Sequence, residues 1–149
     1  MIVTENAERK FFLNGAIPMD FITGIIQEHA AVKSTGAYSI FMGQVRNDEI
    51  GNTRVKAIDY TAHTELAGEK FSAIRTRLFE KYHLNSLHVY HSIGLVATGE
   101  ICFFVLAASG HRHDAITACE EAVSLVKSEL PIWGKLQLED DGSEWKENH

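Results

Sequence analysis

The sequence predicts an α+β fold in which three main helices pack on a mostly antiparallel sheet. Apolar spacing switches between helical and strand periods in the order β-α-β-β-α-β-β-α-β. The segment Glu100–Ala108, with ICFFVLAA within it, is apolar without alternation, as in a strand buried on both faces. At 149 residues, with 45% hydrophobic and 23% charged, the chain can bury a core as one domain.

The first strand is expected near Lys10–Leu13. Pro18 suits the first position of a helix, whose stripe is Phe21, Ile22, Ile25 and Ile26 and whose end is near His29. Gly36–Arg46 (GAYSIFMGQVR) is aromatic and branched and reads as a strand. Asn47–Thr53 reads as a polar loop, and Arg54–Tyr60 as the next strand. Thr64 is the expected N-cap of a second helix, with Glu65 in its first turn and Ala67, Phe71, Ile74, Leu78 and Tyr82 on its apolar face. Leu87–Ile93 and Glu100–Ala108 then form two strands joined by GLVATG. A third helix is expected over roughly His111–Glu129, with apolar positions Ile116, Cys119, Val123, Val126 and Leu130, stopped by Pro131. IWGKLQL is the last strand, and DDGSEW has turn chemistry.

The net charge is −6, but residues 139–149 form an acidic tail that holds five of the acids and one base, so the remaining body carries only −2. That balance argues against a general nucleic-acid binder, which needs a clustered basic face. No apolar run approaches the ~20 residues of a membrane-spanning helix. The opening MIVTENAERK has no apolar core of a signal peptide, and two cysteines make no disulfide framework, so a cytoplasmic protein is expected.

The strongest local signal for chemistry is SGHRHDA (Ser109–Ala115), between a buried strand and a helix. A helix start offers free N–H groups and partial positive charge to an anion. Arg112 adds a bidentate phosphate donor, and His111 a donor or acid–base group. His113 reads as a surface residue, and with Asp114 the segment still lacks the ligands of a metal site, so no metal is expected. Lys127 reads either as a snorkelling lysine at a helix end or as a partly buried lysine for proton transfer or oxyanion contact, and spacing alone favours the first. Lys135 is equally open. Arg46 ends an apolar strand, where a solvated charge is the ordinary reading. Phe41 belongs by pattern to the core, and Cys102 and Cys119 read as inert core thiols.

Taken together and in order, GAYSIFMGQVR, GLVATGE, SGHRHDAITACEEAVSLVKSELPIW and DGSEW resemble the large, catalytic subunits of molybdopterin synthases, over roughly Gly36–Trp145. The resemblance implies an α/β-hammerhead fold and a central homodimer. Each subunit would receive a small ubiquitin-like carrier whose C-terminal Gly-Gly bears a thiocarboxylate, making a heterotetramer. It implies two sulfur transfers that convert cyclic pyranopterin monophosphate to molybdopterin, with no cofactor. By motif it assigns catalysis to Lys127 and Lys135, substrate binding to Phe41, Arg46, His111 and Arg112, and carrier contact to Pro131, Ile132 and Trp133. Two positions depart from the family pattern. Gly134 stands where a lysine follows the Trp, and Ser92 replaces an arginine in HSIG. A non-catalytic anion-binding or regulatory α+β domain is the alternative reading.

Helix geometry adds a constraint independent of the family. From Arg112 to Lys127 is 15 residue steps, roughly 22 Å along one helix at 1.5 Å per residue. One pterin phosphate cannot comfortably engage both ends. A two-fold dimer can unite Arg112 of one subunit with Lys127 of the other.

Overall fold

The structure is a computed structural model that describes residues 11–147. Strand β1 is Phe12–Asn14, so the expected start at Lys10 lies outside the described residues. Helix α1 (Met19–His29) follows, then β2 (Ala37–Gln44), the short β3 (Glu49–Ile50) and β4 (Thr53–Ala62). Helix α2 (Thr64–Lys81) leads to the long β5 (Leu84–Ala97) and to β6 (Ile101–Ser109). Helix α3 (Arg112–Glu129) precedes β7 (Ile132–Leu138) and β8 (Ser143–Trp145). The α+β expectation holds.

The strands run in the order β2-β6-β5-β4-β7-β8, with β1 on β5 and β3 on β4. Every pairing is antiparallel except β1 with β5. β6 explains its own composition. Phe103, Val105 and Ala107 enter the larger core beneath α2 and α3, while Phe104, Leu106 and Ala108 enter a second core with Ile22 and Ile25 of α1. Period 2 sends alternate residues to opposite faces, and both faces are covered, so residues 103–108 are all apolar, and the first buried polar side chain is Ser109 at the strand end.

Several boundaries differ from the sequence reading. Pro18 is the N-cap of α1, with extended backbone (φ −72°, ψ 147°), not its first helical residue. At α2 the cap is His63, whose Nδ1 accepts the Leu66 N–H at 3.2 Å, and Thr64 is already helical. β5 does not stop at Ile93. It runs through Gly94 to Ala97, pairing with β6 in its first half and β4 in its second. Two short strands were read as loop or turn. β3 pairs with β4, and β8 pairs with β7 through Lys135 and Trp145. Part of the acidic tail therefore folds back onto the sheet, helped by an exposed ion pair between Asp141 and Lys56 (3.1 Å).

The loop that starts α3 is held by close backbone approach. A Cβ on Gly36 would lie 2.1 Å from the Gly110 carbonyl oxygen, so only glycine fits there. The Ser109 hydroxyl donates to the His83 carbonyl at 2.6 Å, which fixes the loop from its other side.

Candidate active site

The C-terminal end of α3 roofs a cavity of about 630 Å³, formed where β4 and β7 diverge from the β2-β6-β5 half of the sheet. Phe41 reaches it from β2, because alternation on that edge strand turns residues 37, 39, 41 and 43 inward. Its ring meets Phe103 edge-on with centroids 5.5 Å apart. His91 sits between Phe103, tilted at 5.3 Å, and Tyr60, edge-on at 5.0 Å. The result is an aromatic floor.

Three cations line this cavity: Lys127 from the last turn of α3, Arg46 from just beyond β2, and Lys146 from just beyond β8. The Lys127 ammonium lies 6.0 Å from the Phe103 ring centre, within cation–π reach. Arg46 pairs with Asp48 at 3.0 Å, but its side chain is 75% exposed, so that pair holds it only loosely. Ile132 also lines the wall. The motif residues Phe41, Arg46, Lys127 and Ile132, distant in sequence, thus share one cavity.

Lys135 does not join them. β7 pairs Gly134 with Tyr60 and Leu136 with Ile58, and all four of these line the cavity. Lys135 alternates to the other side of β7, across from Asp59 and Trp145, and is not a lining residue, although its ammonium is 5.5 Å from the ring centre of Trp145, which does line the cavity. Trp133 shares that face by the same alternation and is 52% exposed. Pro131 sits at the helix–strand junction, its carbonyl accepting the His63 N–H at 3.1 Å.

His111 and Arg112 lie at the other end of α3, in a separate concavity of about 390 Å³ shared with His113, Ile116 and Thr117. His111 is the N-cap and makes no side-chain cap bond, which leaves the first-turn N–H groups available to an anion. The Asp114 carboxylate instead accepts the His83 N–H at 2.9 Å. Among the described residues no three His, Cys, Asp or Glu side chains gather as a metal site.

A family model described as MoaE protein matches residues 18–129. The chain belongs to the MoaE family. Among relatives of this MoaE protein, the molybdopterin synthase catalytic subunit of Neosartorya fischeri is 35% identical over 121 residues, 81% of this chain and 64% of that one. The Pyrococcus abyssi subunit of the same name is 32% identical over 114 residues, 76% of each chain. The MoaE chain thus spans less than two thirds of the fungal relative. The crystal structure of molybdopterin synthase from Staphylococcus aureus superposes with a TM-score of 0.81 at 28% identity, over 94% of this chain and 98% of that one. A complex of subunits 1 and 2 of molybdopterin-converting factor from Helicobacter pylori has a TM-score of 0.77 at 21% identity, over 92% and 89%, and shares the fold.

Sequence reasoning missed Tyr60, His91, Cys102 and Lys146 as parts of the cavity. Cys102 was read as core. It is buried, but its sulfur faces the cavity wall, accepting the Tyr60 hydroxyl at 3.5 Å and donating to the Gly43 carbonyl at 3.5 Å. Burial raises the Tyr60 phenol above its ordinary range, so it stays protonated. Cys119 lies in the core, as its pattern predicts, with its thiol pushed up by burial. Ser92 is fully buried, and its hydroxyl has no hydrogen-bond partner among the described residues.

His91 gives the MoaE protein a pH dependence. Burial, with the Lys127 and Lys146 charges adding to it, pulls its pKa down to about 4, against the opposing hydrogen bond to the Ser92 carbonyl. His88, half-buried with its Nε2 3.1 Å from that of His29, is also pulled to about 4, first by burial and then by the His29 and Arg75 charges. Both folded values lie below the unfolded ~6.5, so the unfolded chain binds more protons between pH 6.5 and 4. Their stabilisation is complete above pH 6.5 and is lost as pH falls, by about 2 kcal/mol per histidine at pH 5 before allowance for His88's remaining exposure. Thermal melts should show Tm falling by several degrees from pH 7 to 5, and falling less in His88→Gln. Equal slopes for the two proteins would remove His88 from this account.

Proposed function

We propose that this protein is the catalytic subunit of a molybdopterin synthase. It would transfer sulfur from the C-terminal thiocarboxylate of a small ubiquitin-like carrier to cyclic pyranopterin monophosphate, in two successive steps that build the dithiolene. The observation that carries this reading is the convergence of Lys127 and Arg46 with Phe41 over one aromatic-floored cavity. Negative charge on a thiocarboxylate and on the reacting acyl oxygen is stabilised by fixed cations in a site partly closed to water. Lys127 can also hold or deliver a proton. The aromatic floor suits a flat, heteroaromatic substrate.

The carrier's Gly-Gly tail is narrow enough to enter such a cavity. Ile132 on the cavity wall, with Pro131 and exposed Trp133 beside it, is the proposed docking segment. The two-subunit complex of the Helicobacter pylori relative is consistent with this arrangement. The second concavity, with His111 and Arg112, would take the substrate phosphate. It lies at the opposite end of α3 from Lys127, so the site would be shared across a homodimer. The heterotetramer follows from two such sites and two carriers. The cytoplasm is the proposed compartment, where two free thiols stay reduced. Among the described residues no helix is long and apolar enough to cross a membrane.

The test is reconstitution. Purified protein, a thiocarboxylated carrier and the pterin precursor should yield molybdopterin, detected by mass spectrometry. No product from a folded protein that binds its carrier would leave the anion-binding, non-catalytic reading in place.

The sulfur arrives on the carrier, so the chain's own cysteines are not needed. Replacing Cys102 and Cys119 together by alanine should cost about 1–3 kcal/mol of stability through lost packing and leave turnover within a few-fold. Denaturant melts and single-turnover assays read the two effects. Abolished turnover in a folded double variant would mean that sulfur passes through Cys102, on the cavity wall.

A further inference from the structure

We infer that Lys146 supplies the second lysine of the cavity and meets the carrier's terminal carboxyl group together with Lys127. This inference rests on the sulfur-transfer reading and names a residue that reading does not contain.

Beyond the last β7–β8 pair, Lys135 with Trp145, the Lys146 N–H donates to the Gly134 carbonyl at 2.8 Å. That bond sets Lys146 beside Gly134, one residue past Trp145. There it lines the cavity with its chain neighbours Glu144, Trp145 and Glu147, whereas Lys135 does not. Gly134 carries no side chain there, and adding one would require Ile58 to shift. A Cβ at that position would sit 2.9 Å from Ile58 Cγ2 and 3.2 Å from the Tyr60 ring. The place next to bare Gly134 is filled from the neighbouring strand.

The surroundings agree. Lys146 is half-buried and lines the cavity with Lys127 and Arg46. Its pKa is lowered, first by burial, then by the Lys127 charge, with Arg46 adding and Cys102 and Asp48 opposing. His91, on the floor, feels the positive charge of both Lys127 and Lys146. Two ammonium groups, one from the end of α3 and one from the end of β8, therefore act on the same ring. A solvated surface lysine lowers its energy by turning away from like charge and staying in water. Lys146, its backbone fixed beside Gly134, lies within the influence of two other cations, in a cavity that Asp48, Glu144 and Glu147 also line, and burial and like charge together still outweigh the carboxylates in lowering its pKa. An anion entering the cavity would relieve that repulsion, and the terminal carboxyl group of a Gly-Gly tail has the matching charge and width.

Two measurements test this. The first compares single-turnover sulfur transfer at saturating thiocarboxylated carrier. Lys146→Ala should be at least tenfold slower than the unsubstituted protein, Lys146→Arg within threefold of it, and Lys135→Ala, which removes the same charge from outside the cavity lining, also within threefold. The main-chain bond to Gly134 survives all three substitutions. A Lys146→Ala rate within threefold, a Lys146→Arg rate as slow as Lys146→Ala, or a Lys135→Ala loss equal to that of Lys146→Ala would each overturn the inference. The second measurement needs no turnover. Calorimetry compares binding of a Gly-Gly carrier bearing a free C-terminal carboxylate with the same carrier amidated at that end. The unsubstituted protein should prefer the carboxylate at least fivefold, and Lys146→Ala should lose most of that preference. A preference unchanged in Lys146→Ala overturns the inference. If the unsubstituted protein makes no molybdopterin yet shows the Lys146-dependent preference, the sulfur-transfer reading fails and the role of Lys146 toward a carboxylate stands.

Discussion

Lys127→Ala should slow sulfur transfer by about 10²-fold or more while leaving folding and carrier affinity nearly unchanged. The expectation follows from where the ammonium lies. It approaches the face of Phe103 at 6.0 Å on the cavity side of α3, while the helix buries Val126 beneath. An ordinary snorkelling lysine would lose only a few tenths of a kcal/mol of packing and helix-end electrostatics. A lysine aimed at the thiocarboxylate loses stabilisation of charge that develops only during reaction, which costs about 3 kcal/mol or more for a 10²-fold effect. Single-turnover rates, a thermal melt and a carrier titration separate the two. A folded Lys127→Ala protein with near-normal rate would return this residue to the snorkelling role.

Mixing two inactive variants should restore activity. Arg112→Ala and Lys127→Ala alter groups at opposite ends of α3, an 18-residue helix that cannot bend one end to the other. The His111–Arg112 concavity and the Lys127 cavity share no lining residue. A pterin phosphate held at the first can react at the second only if the two belong to different subunits whose two-fold axis brings them together. In a mixed dimer of the two variants, one site then carries both defects and the other carries neither. With random subunit exchange, half the dimers are mixed and half their sites are intact, so activity should return to about a quarter of the unsubstituted value. Mixed dimers can be counted by native mass spectrometry with one variant tagged. If they form and activity stays at the level of the separate variants, the shared-site arrangement is wrong.

Much of this molecule was legible from local pattern. The period of the apolar residues identified α1, α2 and α3 and the strands around them, because each period reports which face a segment must bury. The doubly buried β6 was visible in ICFFVLAA. β3 and β8 were not visible, because strands of two and three residues have no period of their own and exist only through pairing with β4 and β7. The caps shifted by one residue at Pro18 and His63, where local backbone geometry rather than residue preference sets the helix start.

The candidate site divides along the same line. The sequence alone marked the anion-suited start of α3 at His111 and Arg112. It also set their distance from Lys127, since helical rise is fixed by backbone geometry and needs no tertiary information. Motif order brought Phe41, Arg46 and Lys127 to notice but could not show that they share a cavity. Only the tertiary structure turned Lys135 away and brought Lys146 in. Which side of a sheet a strand residue faces depends on the register with its neighbours, and that register is set by hydrogen bonds between segments far apart in the chain. The same long-range packing placed His91 between Tyr60 and Phe103 beneath two lysines, where burial and like charge hold it neutral.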